Sequence, residues 1–211
     1  MNFDDFWLKY SSLGCVSSRF LSESGASFDK NSLTRWCKNG YLVKLRNGWY
    51  AFPDFFDFPD SQFVTACRIY PDSYISLHSA LIYHGFVSNQ LQSQISCVSL
   101  HKTAEFRNAF GIFDYHTLNG NLFFGFEALQ TADFIFQMAT PEKALLDLFY
   151  LFPTYYNTEK ALRNFALEEK NMYENWNVER MFHYLSQFQN AALEKRISLF
   201  ARMYGFNLIF L

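Results

Sequence analysis

The dipeptide Asn47-Gly48 separates two short runs of residues that favour β-strands, residues 41–46 and 49–52. Both turn residues tolerate positive φ, which a tight two-residue turn requires, so this pattern is the strongest short-range signal for a β-hairpin. Because an isolated hairpin is only marginally stable in water, it needs other elements to pack against. The residues that precede it supply them.

Three amphipathic segments before the hairpin have the apolar spacing of α-helices. Ser17 can cap the second helix, and either Ser27 or Asp29 can cap the third. Helix, helix, turn, helix and β-hairpin is the order of a winged helix-turn-helix, which we expect for residues 1–53, hereafter the head. The predicted helices cover residues 3–10, 17–24 and 28–38.

Charge is distributed unevenly along the chain. The net charge is −2, which alone argues against a nucleic-acid partner. Residues 1–52, however, carry seven basic and four acidic side chains, whereas the remainder carries 11 basic and 16 acidic ones. Between Lys30 and Arg46 there are five basic residues and no acidic one. This asymmetry indicates a basic head on an acidic body, and it favours nucleic acid as the partner of the head.

The third predicted helix has two different faces. Leu33, Trp36 and Cys37 cluster on one side, where they fit a hydrophobic core. The opposite side carries hydrogen-bonding and basic side chains and no carboxylate: Asn31, Thr34, Arg35 and Lys38. A face that only meets solvent is the alternative, but in this chain it would be expected to include some Asp or Glu.

We therefore expect this helix to enter the major groove of double-stranded DNA. Arg35 is the candidate for a bidentate contact with guanine, Asn31 for adenine, and Thr34 for a thymine methyl group. The phosphate contacts and the wing contacts are expected from Ser17, Ser18, Arg19, Lys30, Lys38, Lys44, Arg46 and Asn47. With about five phosphates neutralised per head, log K should fall against log salt with a slope of about −4 to −5.

The remainder, residues 60–211, is expected to form an α+β body with a small antiparallel sheet and a helical C-terminal region. A second Asn-Gly pair, Asn119-Gly120, predicts a hairpin that joins strands over residues 111–118 and 122–129. Thr140 and Pro141 have the residue types of an N-cap and a first helical position. The other predicted elements are strands at 95–100 and 134–138 and helices at 60–70, 76–85, 157–169, 178–188 and 190–204.

The sequence shows no cofactor-binding motif and no catalytic motif, so we expect neither an enzyme nor a metal or cofactor site. The four cysteines lack the close spacing of zinc ligands. A nuclease acting through the body is an open alternative that would need carboxylates clustered by the fold. No apolar stretch approaches the roughly 20 residues that span a bilayer, and the acidic N-terminus lacks the basic start of a signal peptide. We expect a cytoplasmic protein without a membrane partner.

Three stretches, in order along the chain, carry a resemblance to a known family. They are KNGYLVKLRNGWY at residues 38–50, YISLHSALIYHGF at 74–86 and ATPEKALLDL at 139–148. Together they are similar to the AbiEi family, whose members are antitoxins of type IV toxin–antitoxin systems and act as transcriptional regulators. Many relatives carry Arg where this chain has Lys143.

The resemblance implies that the head binds operator DNA, that the protein autoregulates a toxin–antitoxin operon, and that a nucleotidyltransferase-type toxin is encoded with it. Because the acidic body adds no affinity for DNA by charge, two copies on an inverted repeat would be needed for tight binding. The alternative is a protein-interaction module, an antitoxin or scaffold whose winged helix does not touch DNA.

Overall fold

A computed structural model describes residues 1–25, 29–88, 94–131 and 133–205. The described residues form a mixed α+β structure with two sheets, one of three strands and one of six. Buried apolar side chains fall into a small cluster in the head and a much larger cluster in the body. Among the helices that the structure describes, none combines the length and the apolar composition needed to cross a lipid bilayer.

The head contains three helices at the predicted places: α1 (Phe3–Tyr10), α2 (Ser18–Glu23) and α3 (Lys30–Lys38). Side chains cap each of them, because Asn2 accepts the N–H of Asp5, Ser17 that of Phe20, and Asp29 that of Asn31. Residues 26–28 lie outside the described part, so the expected start of α3 at Phe28 and the alternative cap Ser27 are not described.

The head also contains a three-stranded antiparallel sheet. The predicted hairpin consists of β2 (Val43–Arg46) and β3 (Trp49–Ala51), joined by Asn47-Gly48, where Gly48 has φ +79°. A short strand that the sequence did not predict, β1 (Cys15–Ser17), pairs with the other edge of β3, so the order is β1-β3-β2. The hairpin therefore gains the neighbour that its stability requires.

Aromatic rings dominate the small core of the head. Phe6 lies at its centre, with ring centroids 4.7 Å from Trp36 and 5.7 Å from Phe52. These contacts join α1, α3 and the end of the hairpin, so the apolar face of α3 is buried as its sequence predicts. The remaining buried members of this cluster are Tyr10, Val16, Leu21, Leu33 and Leu42.

The body sheet differs from the small antiparallel sheet expected there. Its strands are β4 (Ser73–Ile75), β5 (Gln94–Ser99), β6 (Ala104–Asn108), β7 (Gly111–Thr117), β8 (Phe126–Thr131) and β9 (Phe134–Ala139). The order is β6-β7-β5-β4-β9-β8, in which the β4–β9 and β5–β7 pairs are parallel and the other three pairs are antiparallel. Parallel pairing joins strands that are distant in sequence, which local turn signals cannot reveal.

The second Asn-Gly pair does not form the predicted hairpin. Residues Gly120–Leu122 form a short 3₁₀ turn, and the side chain of Asn119 caps it by accepting the N–H of Asn121. The strands on either side, β7 and β8, are not neighbours in the sheet. Here the Asn side chain serves as a helix cap, a role for which Asn is as well suited as for a tight turn.

Helices α4 (Ser61–Ile69) and α5 (Leu77–Tyr83) flank β4, and five more helices follow the sheet. Helix α6 begins as predicted, with Thr140 accepting the N–H of Lys143 and Pro141 at the first position, and it is buried along most of its length. Of the helix expected at 157–169, only Glu159–Arg163 is helical. The chain turns at Ala166, which has φ +51°, and a further helix begins at Glu169. The five are α6 (Pro141–Leu151), α7 (Glu159–Arg163), α8 (Glu169–Asn175), α9 (Val178–Phe188) and α10 (Ala191–Met203).

The head packs closely against the body. Cys15, Leu45 and Ala51, all in head strands, belong to the large body cluster. The guanidinium of Arg68 on α4 donates to the carbonyls of Leu13 and Cys15. On the other side, the Asn108 amide donates to the Leu45 carbonyl at 3.0 Å. These contacts hold both edges of the small sheet against the body.

Gly14 packs directly against Phe55, and this close approach leads to a testable prediction. It has φ +69°, and a Cβ placed there would lie 2.5 Å from the buried ring of Phe55. We expect Gly14→Ala to lower the free energy of unfolding by about 2 kcal/mol, because both the left-handed backbone and the close packing oppose a side chain. Urea denaturation measures the change.

Gly40→Ala is the matched control. Gly40 has φ +77°, but an added Cβ would meet nothing within 4 Å. This variant should lose only the conformational part, about 1 kcal/mol. Equal losses for the two variants would contradict the role assigned to the Gly14–Phe55 contact.

Candidate nucleic-acid interface

The outer face of α3 is exposed to solvent. Its predicted residues Asn31, Thr34, Arg35 and Lys38 are all exposed, whereas Leu33 and Trp36 on the inner face are each 3% exposed. The pattern of long donors without a carboxylate therefore lies on an accessible surface. The side chain of Lys30 lies outside the described part of the chain.

The tip of the hairpin lies beside the start of α2. The Gly48 carbonyl accepts the N–H of Ser18 at 2.8 Å, which fixes the turn against that helix. A cavity of about 310 Å³ opens between α2, α3 and the turn. Its lining includes Ser18, Arg19, Asn47 and Tyr50, so the fold brings together predicted residues from separate segments.

Arg19 lines this cavity, and Lys44 pairs with the cavity residue Tyr50 in the strand register. Lys44 on β2 and Asn47 at the turn are exposed, as is Arg19, whose guanidinium Nε donates to Glu23 at 2.8 Å. The Arg19–Glu23 pair is open to solvent, with side-chain exposures of 87% and 64%, so solvent screens it and Arg19 can exchange this partner for a phosphate.

Two of the predicted serine contacts are already engaged within the head. The hydroxyl of Ser17 accepts the N–H of Phe20 at 3.0 Å as the cap of α2. The backbone N–H of Ser18 is bonded to Gly48, which leaves only its hydroxyl facing the cavity. The sequence pattern of an N-cap thus accounts for Ser17 without a phosphate.

Arg46 does not point towards the candidate interface. Its guanidinium carbon lies 4.9 Å from the ring centroid of Phe106 and 5.6 Å from that of Tyr70, both in the body. The strand register shifts between Lys44 and Arg46, and this irregularity turns the side chain away from the wing surface. We therefore correct the expectation that Arg46 contacts DNA, because this residue packs the hairpin on the body.

Tyr50 on β3 is a further residue of this cavity, and it packs against the core of the head. It is half-buried and lines the cavity, and burial raises the pKa of its phenol. The alternation of side chains along β3 explains this position, because Ala51 faces the large core and Tyr50 faces the opposite side.

The body holds a second chemical cluster, which is fully buried. Lys143 and Asp147 form an ion pair one turn apart on α6, and both side chains are 0% exposed. The Lys143 ammonium also donates to the Tyr74 hydroxyl at 2.8 Å, which donates to Asp147 at 2.9 Å. The Ser76 hydroxyl donates to the same carboxylate oxygen at 2.8 Å.

Burial dominates the electrostatics of this cluster. It raises the pKa of Asp147, although the Lys143 charge and three hydrogen bonds oppose it, and it lowers the pKa of Lys143. The two last stretches that carry the family resemblance meet here, since Tyr74 and Ser76 belong to one and Lys143 and Asp147 to the other. None of these four side chains is exposed, and the cluster joins α6 to β4 and to the start of α5.

The fold therefore gathers one accessible surface that suits a polyanion: the outer face of α3, the hairpin tip and Arg19. We define this surface as the reading surface; it contains Arg19, Asn31, Thr34, Arg35, Lys38, Lys44 and Asn47. No protein-family model matches the chain, and no curated protein matches it.

Proposed function

We propose that the head is a winged helix-turn-helix that binds double-stranded DNA, and that the protein regulates transcription through it. The observation that supports this most directly is the exposed outer face of α3, which carries Asn31, Thr34, Arg35 and Lys38 and no carboxylate. The order of three helices around a three-stranded sheet with a hairpin at its end is also what the proposed fold requires.

In this proposal α3 enters the major groove with its outer face towards the base edges. Arg35 donates two hydrogen bonds to guanine, Asn31 makes a bidentate contact with adenine, and Thr34 contacts a thymine methyl group. Phosphates on the flanking backbone are bound by Arg19, Lys30, Lys38 and Lys44, as well as by the amide of Asn47. The base contacts specify the sequence, and the phosphate contacts set the register.

The acidic body limits how tightly one copy binds. Residues 53–211 carry 16 acidic and 11 basic side chains, so their mean field repels DNA. Two heads on an inverted repeat of an operator would compensate for this repulsion. The role as antitoxin of a type IV system, with a co-encoded nucleotidyltransferase-type toxin, is supported by the sequence resemblance alone.

A salt titration tests the electrostatic part. Of the five cations expected to contact phosphates, Arg46 is turned towards the body. The remaining four are Arg19, Lys30, Lys38 and Lys44, so log K against log salt should have a slope of about −3.6. The titration uses fluorescence anisotropy with the DNA upstream of the gene. Lys38→Gln should make the slope shallower by about one unit.

Lys102→Gln is the matched control, because Lys102 is an exposed lysine of the body. This variant should leave the slope unchanged. A slope near zero for the unmodified protein would contradict phosphate binding. Absence of any complex at low salt would favour the alternative, a protein-interaction module whose head does not bind DNA.

A further inference from the structure

Four polar side chains lie side by side on one face of the body sheet. Gln94 and Ser96 alternate along β5, Asp114 and His116 alternate along β7, and Ser96 pairs with Asp114 in the strand register. The intervening positions on both strands are buried apolar residues of the opposite face. The polar face lines a cavity of about 380 Å³, together with Leu148 and other residues of α5, α6 and the segment that follows.

Asp114 is the charged group of this cavity. Its side chain is only 13% exposed, and one carboxylate oxygen lies 2.7 Å from Nε2 of His116. Burial raises the pKa of Asp114, but hydrogen bonds from His116, Gln94 and Ser96 outweigh that effect, so the pKa lies below its usual value. The cavity therefore contains an ionised carboxylate at neutral pH.

Aromatic side chains and an uncharged imidazole complete the walls. Nε2 of His78 lies 3.2 Å from the hydroxyl of Tyr156, and burial lowers the pKa of His78 against the opposing charge of Asp114. Phe152 and Tyr155 also line the cavity, and Tyr155 is 69% exposed at its rim. A second cavity of about 450 Å³ adjoins it and shares His78, Tyr155 and Tyr156.

Within the described residues, neither cavity is lined by a lysine or an arginine. His116 is the nearest basic group, and its Nε2 lies 2.7 Å from the Asp114 carboxylate. An ionised carboxylate among aromatic rings favours a cation, and most strongly a planar one that can stack on a ring while it donates to the carboxylate.

We propose that this cleft, lined by His78, Gln94, Asp114, His116, Tyr155 and Tyr156, binds a small molecule through a guanidinium group. The guanidinium donates to Asp114, and its plane lies against the ring of Tyr155. The recessed position and the size of the cavity suit a small ligand. This site lies in the body and is independent of the DNA-binding proposal for the head.

Agmatine, a guanidinium on a short aliphatic amine, is the probe, and isothermal titration of the full chain at low ionic strength is the measurement. Its neutral isostere N-carbamoylputrescine replaces the guanidinium by a urea and keeps the shape and the distal amine. We expect saturable binding of agmatine and binding of the isostere that is weaker by about tenfold or more.

Two variants locate the site. Asp114→Asn preserves the size of the side chain and should weaken agmatine binding by about tenfold or more. Tyr155→Ala should weaken it by about two- to fivefold, and because that side chain is mostly exposed, the variant should fold like the parent. Tyr173→Ala, at an exposed tyrosine of α8 that lines neither cavity, is the matched control and should leave binding unchanged.

Each outcome of these measurements tests a different part of the proposal. Equal affinity for agmatine and its isostere would overturn the role of the guanidinium, and no saturable binding of agmatine would overturn the site. If Asp114→Asn fails to fold, the comparison of the two ligands and the Tyr155→Ala variant still decide the matter. Since none of these measurements involves DNA, their failure would leave the function of the head untouched.

Discussion

Lys143→Met is expected to lower the free energy of unfolding by about 3–5 kcal/mol, the largest effect of any substitution considered for this protein. The variant removes the ammonium that faces Asp147 and leaves a carboxylate with no exposed surface without its counter-charge. Tyr74 and Ser76 still donate to that carboxylate, but two neutral donors do not replace an ion pair. Urea denaturation followed by circular dichroism measures the loss.

Two further variants make this test specific. The double variant Lys143→Met/Asp147→Leu removes both charges and should recover most of the lost stability, because burying a charge without its partner is the main cost. Arg19→Met breaks an ion pair of the same i,i+4 spacing that is open to solvent, and no measurable change is expected. A loss below about 1 kcal/mol for Lys143→Met would contradict the importance of the buried pair.

Arg35→Ala is expected to weaken binding to operator DNA by about 1–3 kcal/mol, or about five- to more than a hundredfold, because it removes the bidentate guanine contact. On DNA of scrambled sequence the loss should be much smaller, since there Arg35 contributes only its charge. Anisotropy titrations with the two DNAs at one salt concentration give the ratio.

Arg163→Ala is the matched control for this experiment. Arg163 lies on α7, is 74% exposed and pairs loosely with Glu159, so it resembles Arg35 in charge and accessibility but not in place. Arg163→Ala should change neither the affinity for operator DNA nor the affinity for DNA of scrambled sequence. Equal losses on both DNAs for Arg35→Ala would show that Arg35 contacts a phosphate and reads no base.

The three helices and the hairpin of the head were predictable because their signals are local. Caps at Ser17 and Asp29 and a turn at Asn47-Gly48 act over two to four residues, and each of them lies where the sequence pattern places it. The two-faced composition of α3 likewise predicted which side is buried. The candidate reading surface follows from these elements, because an exposed helix face needs only the helix and its core side to be known.

The parts that escaped prediction depend on contacts between distant residues. Strand β1 is three residues long, and only its pairing with β3 defines it as a strand. Glu142, in the first turn of α6, is 1% exposed and accepts the N–H of Asn177, 35 positions away, at 2.8 Å. The direction of Arg46 depends on an irregular strand register that no spacing in the sequence reveals.

The packing of Arg46 against Phe106 and Tyr70 has a consequence for engineering and for divergence of this architecture. Cys15, Leu45 and Ala51 complete the hydrophobic core of the body. A head that is cut away from the body would therefore expose these apolar side chains, together with the face from which Arg46 packs on the body, to solvent. A chimera that grafts a different sequence-recognition module onto this chain must therefore replace the matching surface of the acceptor at the same time. We expect the residues on the two sides of this contact to change together in evolution, because the head and the body share one hydrophobic core.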